Sequence, residues 1–582
     1  MGRISGSLLV VLFSACALLA QDPGRDREAE KLKAERRAKV IEAIMRDAAQ
    51  LKLPENRALV SAKLGAVIWK DDTERGIALF RVAIGGLIAA QGAAEANKNP
   101  NQQYYDLINS QSLRPLILNS IASVDAELAL EGFYRSRPAA IQKALASATS
   151  RGKISYSSAN YAYLAQQEIN LEQRLIRMIS EQKPERAIAI LKENIKKHLS
   201  GETLAMLKKV WEKEPGTGNE LANEVVDRLI SKAFFEGTNN QVNYELVNLS
   251  NSILSEYVRE RSPEEKYIAF DESRMRSLAG KVISAYVERG GAMGYIPLQQ
   301  LEPIAKRFSP GSYEQLKKVA ENSSNFGRHG LQADDAEYTK LMNSNPTAET
   351  LISEAKKFPL EKRSAIYCGA ANKLTEAGQY ERAVALLNDN FDDDALENAI
   401  SSLNWYYAQH LVNRGEFDAA ESMMMEFNES NRISALSSLA TTIYSRNPEE
   451  NRSRANGILQ RVRSLLPERP DTNNELSQLL QLISTMANIE PAEAFRNFEP
   501  AVGQINEVTE AWAVVNGFQG GGNLRQGEYL MSGGFNFGVY VDPSIFRTLA
   551  QKDFVRTMAL VDGFSRREMR ILTLIGLLES GI

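Results

Sequence analysis

The chain has 582 residues, 43% of them hydrophobic and 24% charged, with a formal net charge of −4. That length exceeds one ordinary domain, and that composition excludes intrinsically disordered, collagen-like and multispan membrane classes. Three histidines (His198, His329, His410) and two cysteines (Cys16, Cys368) leave few ligands for zinc, copper, iron or haem and few bases for a nucleophile, so no cofactor is expected.

The chain begins with a targeting signal. Arg3 supplies the positive charge, Ile4 to Leu19 the apolar run, and Ala20 a small residue at the cleavage point before Gln21. Residues 1–20 are read as a signal peptide, and the mature protein is expected to be exported to the periplasm or the extracellular space, with no membrane span after cleavage. Two alternatives use the same segment. One is an uncleaved anchor, near the short limit of a span that needs about 20 residues. The other is a lipoprotein acylated on Cys16, within Phe13-Ser14-Ala15-Cys16.

Residues 25–40 mix seven basic and four acidic side chains at helical spacing, as a solvated helix does. With no uniform basic field there or overall, nucleic acid is not an expected partner. From here on, apolar residues recur every three or four positions, as in Ala187, Ile188, Leu191 and Ile195. This is the helical period, so the fold class is all-α. The strand-like exception is Phe535 to Val541. Residues 21–288 are read as N-terminal helical repeats: Gly65, Trp69, Asp71-Asp72, Gly76 and Phe80 suggest one hairpin, and Pro184 to Leu191 starts the second helix of another. Residues 289–330 gather glycine and proline and are expected to form a hinge or boundary.

Residues 331–582 carry the clearest repeat. Tyr367, Ala370, Ala371 and Leu374 share a helix face, Gly378 breaks it, and Tyr380 opens a second helix with Ala383 and Leu387. The order returns with Tyr407, Ala408, Leu411, Gly415, Phe417, Ala420 and Met424. The second-helix alanines Ala383, Ala420, Ala455 and Ala494 follow one another at 35 to 39 residues, the length of a helical hairpin with its connections. Small residues let two backbones approach, and glycine supplies the turn. The segments AGQYERAVALL and RGEFDAAESMM resemble the tetratricopeptide repeat, over roughly residues 360–500. The copy near Asn447 departs from it, with Pro448-Glu449-Glu450 in place of the turn glycine. The resemblance implies a helical-hairpin solenoid, a right-handed superhelix arranged in one or two halves, that binds partners along a concave surface; it carries over no catalytic residue. Cys368 lies among the small residues of the first copy and is read as packing.

Trp405, Tyr406 and His410 are candidate ligand contacts, able to stack on a peptide or sugar, although aromatics at these places commonly pack between hairpins. The remaining motifs do not hold. Successive histidines lie 131 and 81 residues apart, too far for a local zinc site. Asn388 to Asp394 lacks the glycine and distal glutamate of a calcium loop and is better read as the cap of the following helix. Ser-x-x-Lys pairs at Ser150 and Ser353 lack their companion motifs. Glu579-Ser580 has no following domain in which to form a cleft. The glycine-rich loop 517–538 has no Gly-Lys-Ser/Thr ending and reads as an insertion. The expected function is an exported, non-enzymatic helical-repeat scaffold binding a peptide, protein or envelope polymer. The alternative is an enzyme whose carboxylate pair acts on a polysaccharide or cell-wall glycan.

Overall fold

The computed structural model describes residues 23–96, 107–108, 111–143, 145, 159–236, 241–262, 264–288, 298–323, 334–519, 524–531 and 538–581. Residues 1–20, expected to be a signal peptide, lie outside them with Cys16, as do parts of the glycine-rich loop.

The described residues are helical nearly throughout. In chain order the helices are α1 (Pro23–Ala48), α2 (Pro54–Ile68), α3 (Thr73–Glu95), α4 (Arg114–Ala122), α5 (Ala126–Arg135), α6 (Ala159–Gln182), α7 (Pro184–Lys197), α8 (Thr203–Lys213) and α9 (Pro215–Ser231). A two-residue pair, β1 (Phe235–Glu236) with β2 (Gln241–Val242), precedes α10 (Tyr244–Val258), α11 (Glu272–Glu288), α12 (Leu298–Phe308), α13 (Pro310–Ser323), α14 (Asp334–Asn343), α15 (Ala348–Ala355), α16 (Leu360–Glu376) and α17 (Tyr380–Asn388). There follow α18 (Asp393–Arg414), α19 (Phe417–Met425), α20 (Glu429–Arg446), α21 (Pro448–Leu465), α22 (Asn473–Ile489) and α23 (Pro491–Gln519). A second short antiparallel pair, β3 (Leu524–Arg525) with β4 (Glu528–Tyr529), leads to α24 (Pro543–Lys552), α25 (Phe554–Asp562) and α26 (Arg567–Glu579). The described end of the Phe535 to Val541 stretch, from Gly538, forms no strand.

The chain divides into two compact units, Arg114–Leu403 and the pair of segments Met1–Leu113 and Asn404–Ile582. Within the stretch 289–330, expected as a hinge or boundary, the described residues 298–323 form α12 and α13, in the contiguous unit. Its two described prolines do not interrupt: Pro310 begins α13, where a missing N–H costs nothing, and Pro303 is carried within α12.

The fold is an all-α array of helical hairpins, and the turn glycines behave as their positions require. Gly378 and Gly415 have φ of +74° and +81°, a region in which a side chain is strained. After α16, the Gln379 N–H donates to the Leu374 carbonyl and Gly378 N–H to that of Thr375; Glu416 and Gly415 repeat this on Leu411 and Val412. This pattern uses carbonyls the helix end would leave orphaned. At Asn447 the turn is made differently. The residue is extended, its side chain accepts from the Glu450 N–H, and Pro448 starts α21.

Ala383, Ala420, Ala455 and Ala494 are all fully buried, as are Ala371, Ala408, Ala440 and Ala487 of the first helices, and Ala371 and Ala383 share one core cluster. Small side chains at these places let the paired helices approach closely. Cys368 is half-buried against the cluster formed by Ala371, Leu374, Ala383 and Leu387, and burial pushes its thiol up.

A second periodic device joins neighbouring hairpins of the discontinuous unit. Arg454 pairs with Asp418, Arg461 with Glu421, Arg452 with Glu490 and Arg469 with Glu507. Arg463 Nε donates to Asn497 Oδ1 at 2.8 Å and Arg446 Nη2 to the Val412 carbonyl at 2.8 Å. The exposed pairs contribute on the order of 0.2–1 kcal/mol each. Their greater effect is to fix the register between hairpins.

Close helix approach makes two glycines behave oppositely. A Cβ on Gly218 would lie 2.5 Å from Trp211 Cα and 2.9 Å from its N, whereas one on Gly457 would meet open space. Gly218→Ala is expected to destabilise by about 1–3 kcal/mol through backbone overpacking. Gly457→Ala should stabilise by up to about 1 kcal/mol through helix propensity. Urea denaturation of the two variants checks the opposite signs.

Candidate functional site

The sequence-predicted contacts sit together on α18 with mixed exposure. Trp405 is 40% exposed, and its ring tilts against Phe427 at 5.8 Å between centroids. Tyr406 and His410, one helical turn apart on the same face, are both half-buried. His410 Nε2 is buried without a hydrogen-bond partner. Trp405 is therefore partly a packing residue, as aromatics at this repeat position tend to be, and the three side chains offer one exposed ring edge.

In the contiguous unit the densest polar cluster is internal. Glu168, 3% exposed, accepts from Arg114 Nη1 at 2.5 Å and from Arg137 Nε at 2.8 Å. Glu172 accepts from Arg137 Nη2 at 2.5 Å, from the Tyr134 hydroxyl at 2.9 Å and from Asn194 Nδ2 at 2.9 Å. Gln173 and Ser200 extend the network. Two guanidinium groups balance two carboxylates, each with several hydrogen bonds, which is what makes burial of charge tolerable. Burial holds His198, beside this network, below its ordinary value. The arrangement fastens α4, α5, α6 and α7 to one another.

The discontinuous unit holds a cavity of about 280 Å³ lined by Lys52, Glu510, Gly527, Glu528, Ser565, Arg566, Arg567 and Glu568. Glu528 and Glu568 are each 3% exposed. Glu528 accepts from the backbone N–H of Lys52 at 2.5 Å and of Leu53 at 3.2 Å, and from Asn56 Nδ2 at 2.7 Å. Glu568 accepts from the Tyr529 N–H at 2.8 Å. Burial pushes the Glu568 carboxyl up; the Tyr529 N–H and Arg566 oppose this and the Glu528 charge adds to it. Arg566 bonds Glu510 at 2.6 Å and the Gly527 carbonyl at 2.9 Å, and Lys52 Nζ bonds the Gln526 carbonyl at 3.1 Å. The cations of the cavity wall are thus already engaged by the protein.

The C-terminal end of α23 differs from everything around it. Its last two turns, from Ala511 to Phe518, carry no charge, and Trp512, Val514, Val515 and Phe518 are exposed, Phe518 to 92%. Earlier in the helix Ile505, Thr509 and Ala513 keep one stripe buried, so the apolar residues occupy the outward arc. Gly538, at φ +88°, lets the chain pass close to Trp512: a Cβ there would lie 2.9 Å from the ring. Tyr540, two residues on, is exposed as well. The sequence reading missed this face. Its signal was present in the uncharged run 511–518, masked by the glycines that follow.

Among the described residues no group of three or more His, Cys, Asp or Glu is placed to hold a metal ion. No protein-family model and no curated protein matches the chain. Among solved structures the chain is similar to a "circular tandem repeat protein with novel repeat topology and enhanced subunit contact surfaces", at 12% identity over 93% of this chain and 97% of that one, with a TM-score of 0.16.

Asn56 ties the cavity region together from a fully buried position. Its Nδ2 also donates to the Tyr529 carbonyl at 2.7 Å, and its Oδ1 accepts from the Met531 N–H at 2.9 Å. Asn56→Ala leaves Glu528, Tyr529 and Met531 each short of a buried partner and is expected to cost about 2–4 kcal/mol. Thermal unfolding followed by circular dichroism measures the loss.

Proposed function

We propose that the chain is an exported helical-repeat scaffold, tetratricopeptide-like in its C-terminal part, that binds a protein or peptide without catalysing a reaction. The observation that carries this reading is the outward apolar face of α23, formed by Trp512, Val514, Val515 and Phe518. Large apolar groups clustered on a surface mark interaction sites, and aromatic anchors dominate binding energy where they do so. An envelope polymer is the other ligand class that exposed rings suit. The site of action in this proposal is the periplasm or the extracellular space, reached through residues 1–20.

A second reading is favoured by one observation. Burial pushes the Glu568 carboxyl up beside Glu528 in a cavity, and two carboxyls in one cleft are the groups by which glycan-cleaving enzymes act. Against it, Glu528 spends its acceptors on three N–H donors of the protein. Incubating the purified protein with cell-wall and glycan panels tests this reading, and unaltered products reject it.

For the binding proposal, the mature protein is used as bait on an envelope fraction. Wild-type protein is expected to retain a partner that Trp512→Ala/Phe518→Ser loses by tenfold or more, the equivalent of about 1.4 kcal/mol or above. Both side chains are exposed, so the variant's melting temperature should stay within about 2 °C of wild type. Equal retention by both proteins rejects the site. Intact-mass analysis of the exported protein should find an amino terminus at Gln21; one at Met1 or an acylated Cys16 rejects the proposed cleavage.

A further inference from the structure

The β3–β4 hairpin joins two parts of the discontinuous unit that are far apart in sequence. On one side Asn56 and the backbone of Lys52 and Leu53, at the start of α2, hold Glu528, Tyr529 and Met531. On the other, Glu568 in the first turn of α26 takes the Tyr529 N–H. Arg566 adds a bond to the Gly527 carbonyl and sits 5.3 Å over the Tyr529 ring. Among the described residues neither Glu528 nor Glu568 makes a salt bridge, although both are almost completely buried and they interact electrostatically. The nearby cations have other partners: Arg525 pairs with Glu55, Arg566 with Glu510, Arg567 with Gln50 and Arg570 with Asp47.

We propose that the Glu528 and Glu568 carboxyls make the hairpin Leu524–Tyr529 a pH-dependent latch, fastened in mildly acidic solution and loosened as the pH rises. Burial without a salt bridge is the main penalty on the charged form of Glu568, the Glu528 charge in the same cavity adds a smaller one, and a retained proton removes both. The groups that face Glu568 are Glu528 and Tyr529 on β4, Glu510 on α23, Lys52 before α2, and Arg566, Arg567 and Arg570 around its own helix. Arg566 favours the charged form, yet burial and Glu528 outweigh it. With the hairpin open, Glu568 is hydrated and ionises near its ordinary value of 4.5. The closed form keeps the proton to higher pH, so closure is fully favoured below 4.5 and loses that advantage as pH climbs through the raised value. Within that window the opening constant rises by up to about tenfold per pH unit and then levels off.

Hydrogen exchange of residues 524–531, read by mass spectrometry from pH 5 to 9 and corrected for intrinsic rates, tests the latch on the full chain. In wild type the opening constant is expected to climb with pH, by at most about tenfold per unit, and then plateau. Glu568→Gln, which keeps the acceptor without the charge, should stay closed and flat across the range. Glu528→Gln should move the climb to lower pH, because the repelling neighbour is gone. A flat wild-type profile overturns the proposal even where a variant fails to fold, as does a Glu568→Gln profile that keeps the wild-type slope. Helical content followed at each pH shows that the opening is local.

Discussion

The closure of the discontinuous unit rests on a set of buried polar bonds between residues more than 470 positions apart. Asn56 and Glu528 are 472 apart, and Asp47 and Arg570, joined by two bonds of 2.8 and 3.0 Å, are 523 apart. Apolar packing of α1 on α26 supplies the bulk of the cohesion, being non-directional and proportional to area. The polar bonds add direction. A one-turn slip between α2 and the hairpin would leave Glu528, Asn56 and Tyr529 buried without partners, at a cost far above what any exposed rung of the repeat contributes. Register between α2 and the β3–β4 hairpin is therefore set by a few interior groups, whereas exposed rungs align the repeat hairpins.

Between those ends the repeat works by a simpler rule. Alanines at Ala383, Ala420, Ala455 and Ala494 and glycines at Gly378 and Gly415 were legible in the sequence because each performs its task locally, within one hairpin, and leaves a period of 35 to 39 residues. The arginine rungs span a similar 34 to 40 residues without that clarity, since an exposed arginine bonded to the next hairpin looks in sequence like any solvated charge. Glu528 and Glu568 carry no local signature at all: their burial is decided by a segment near residue 53. The division of the chain was obscured for the same reason. Breaker density suggested a boundary at 289–330; the division into units rests on long-range packing, which no local composition records.

The candidate contacts show where sequence reasoning about a surface succeeds and fails. Trp405, Tyr406 and His410 were recognisable as chemically able side chains, but their exposure depends on Phe427 and on the neighbouring helices. Phe518 was overlooked because one residue's exposure cannot be read from periodicity when the helix ends beside it. What distinguishes the end of α23 is a change of rule along a single helix. Its earlier outward positions carry Glu507 and Glu510, and its last turns carry none, so the helix stops being a solvated surface before it stops being a helix.

The insertion of the contiguous unit's sequence between the two segments of the other bears on the order in which the chain can fold. The contiguous unit has all of its residues once Leu403 has been made, whereas the other waits for Arg570. Throughout that interval α3, whose mean hydropathy reaches 1.6, has its hairpin partner α2 but lacks the C-terminal helices that complete the unit. A long-lived apolar hairpin of this kind invites association with other chains. Synthesis therefore creates a period of vulnerability that ends only when the final helices arrive, and a holding chaperone that grips residues 54–95 would serve this protein better than one that acts on the finished fold.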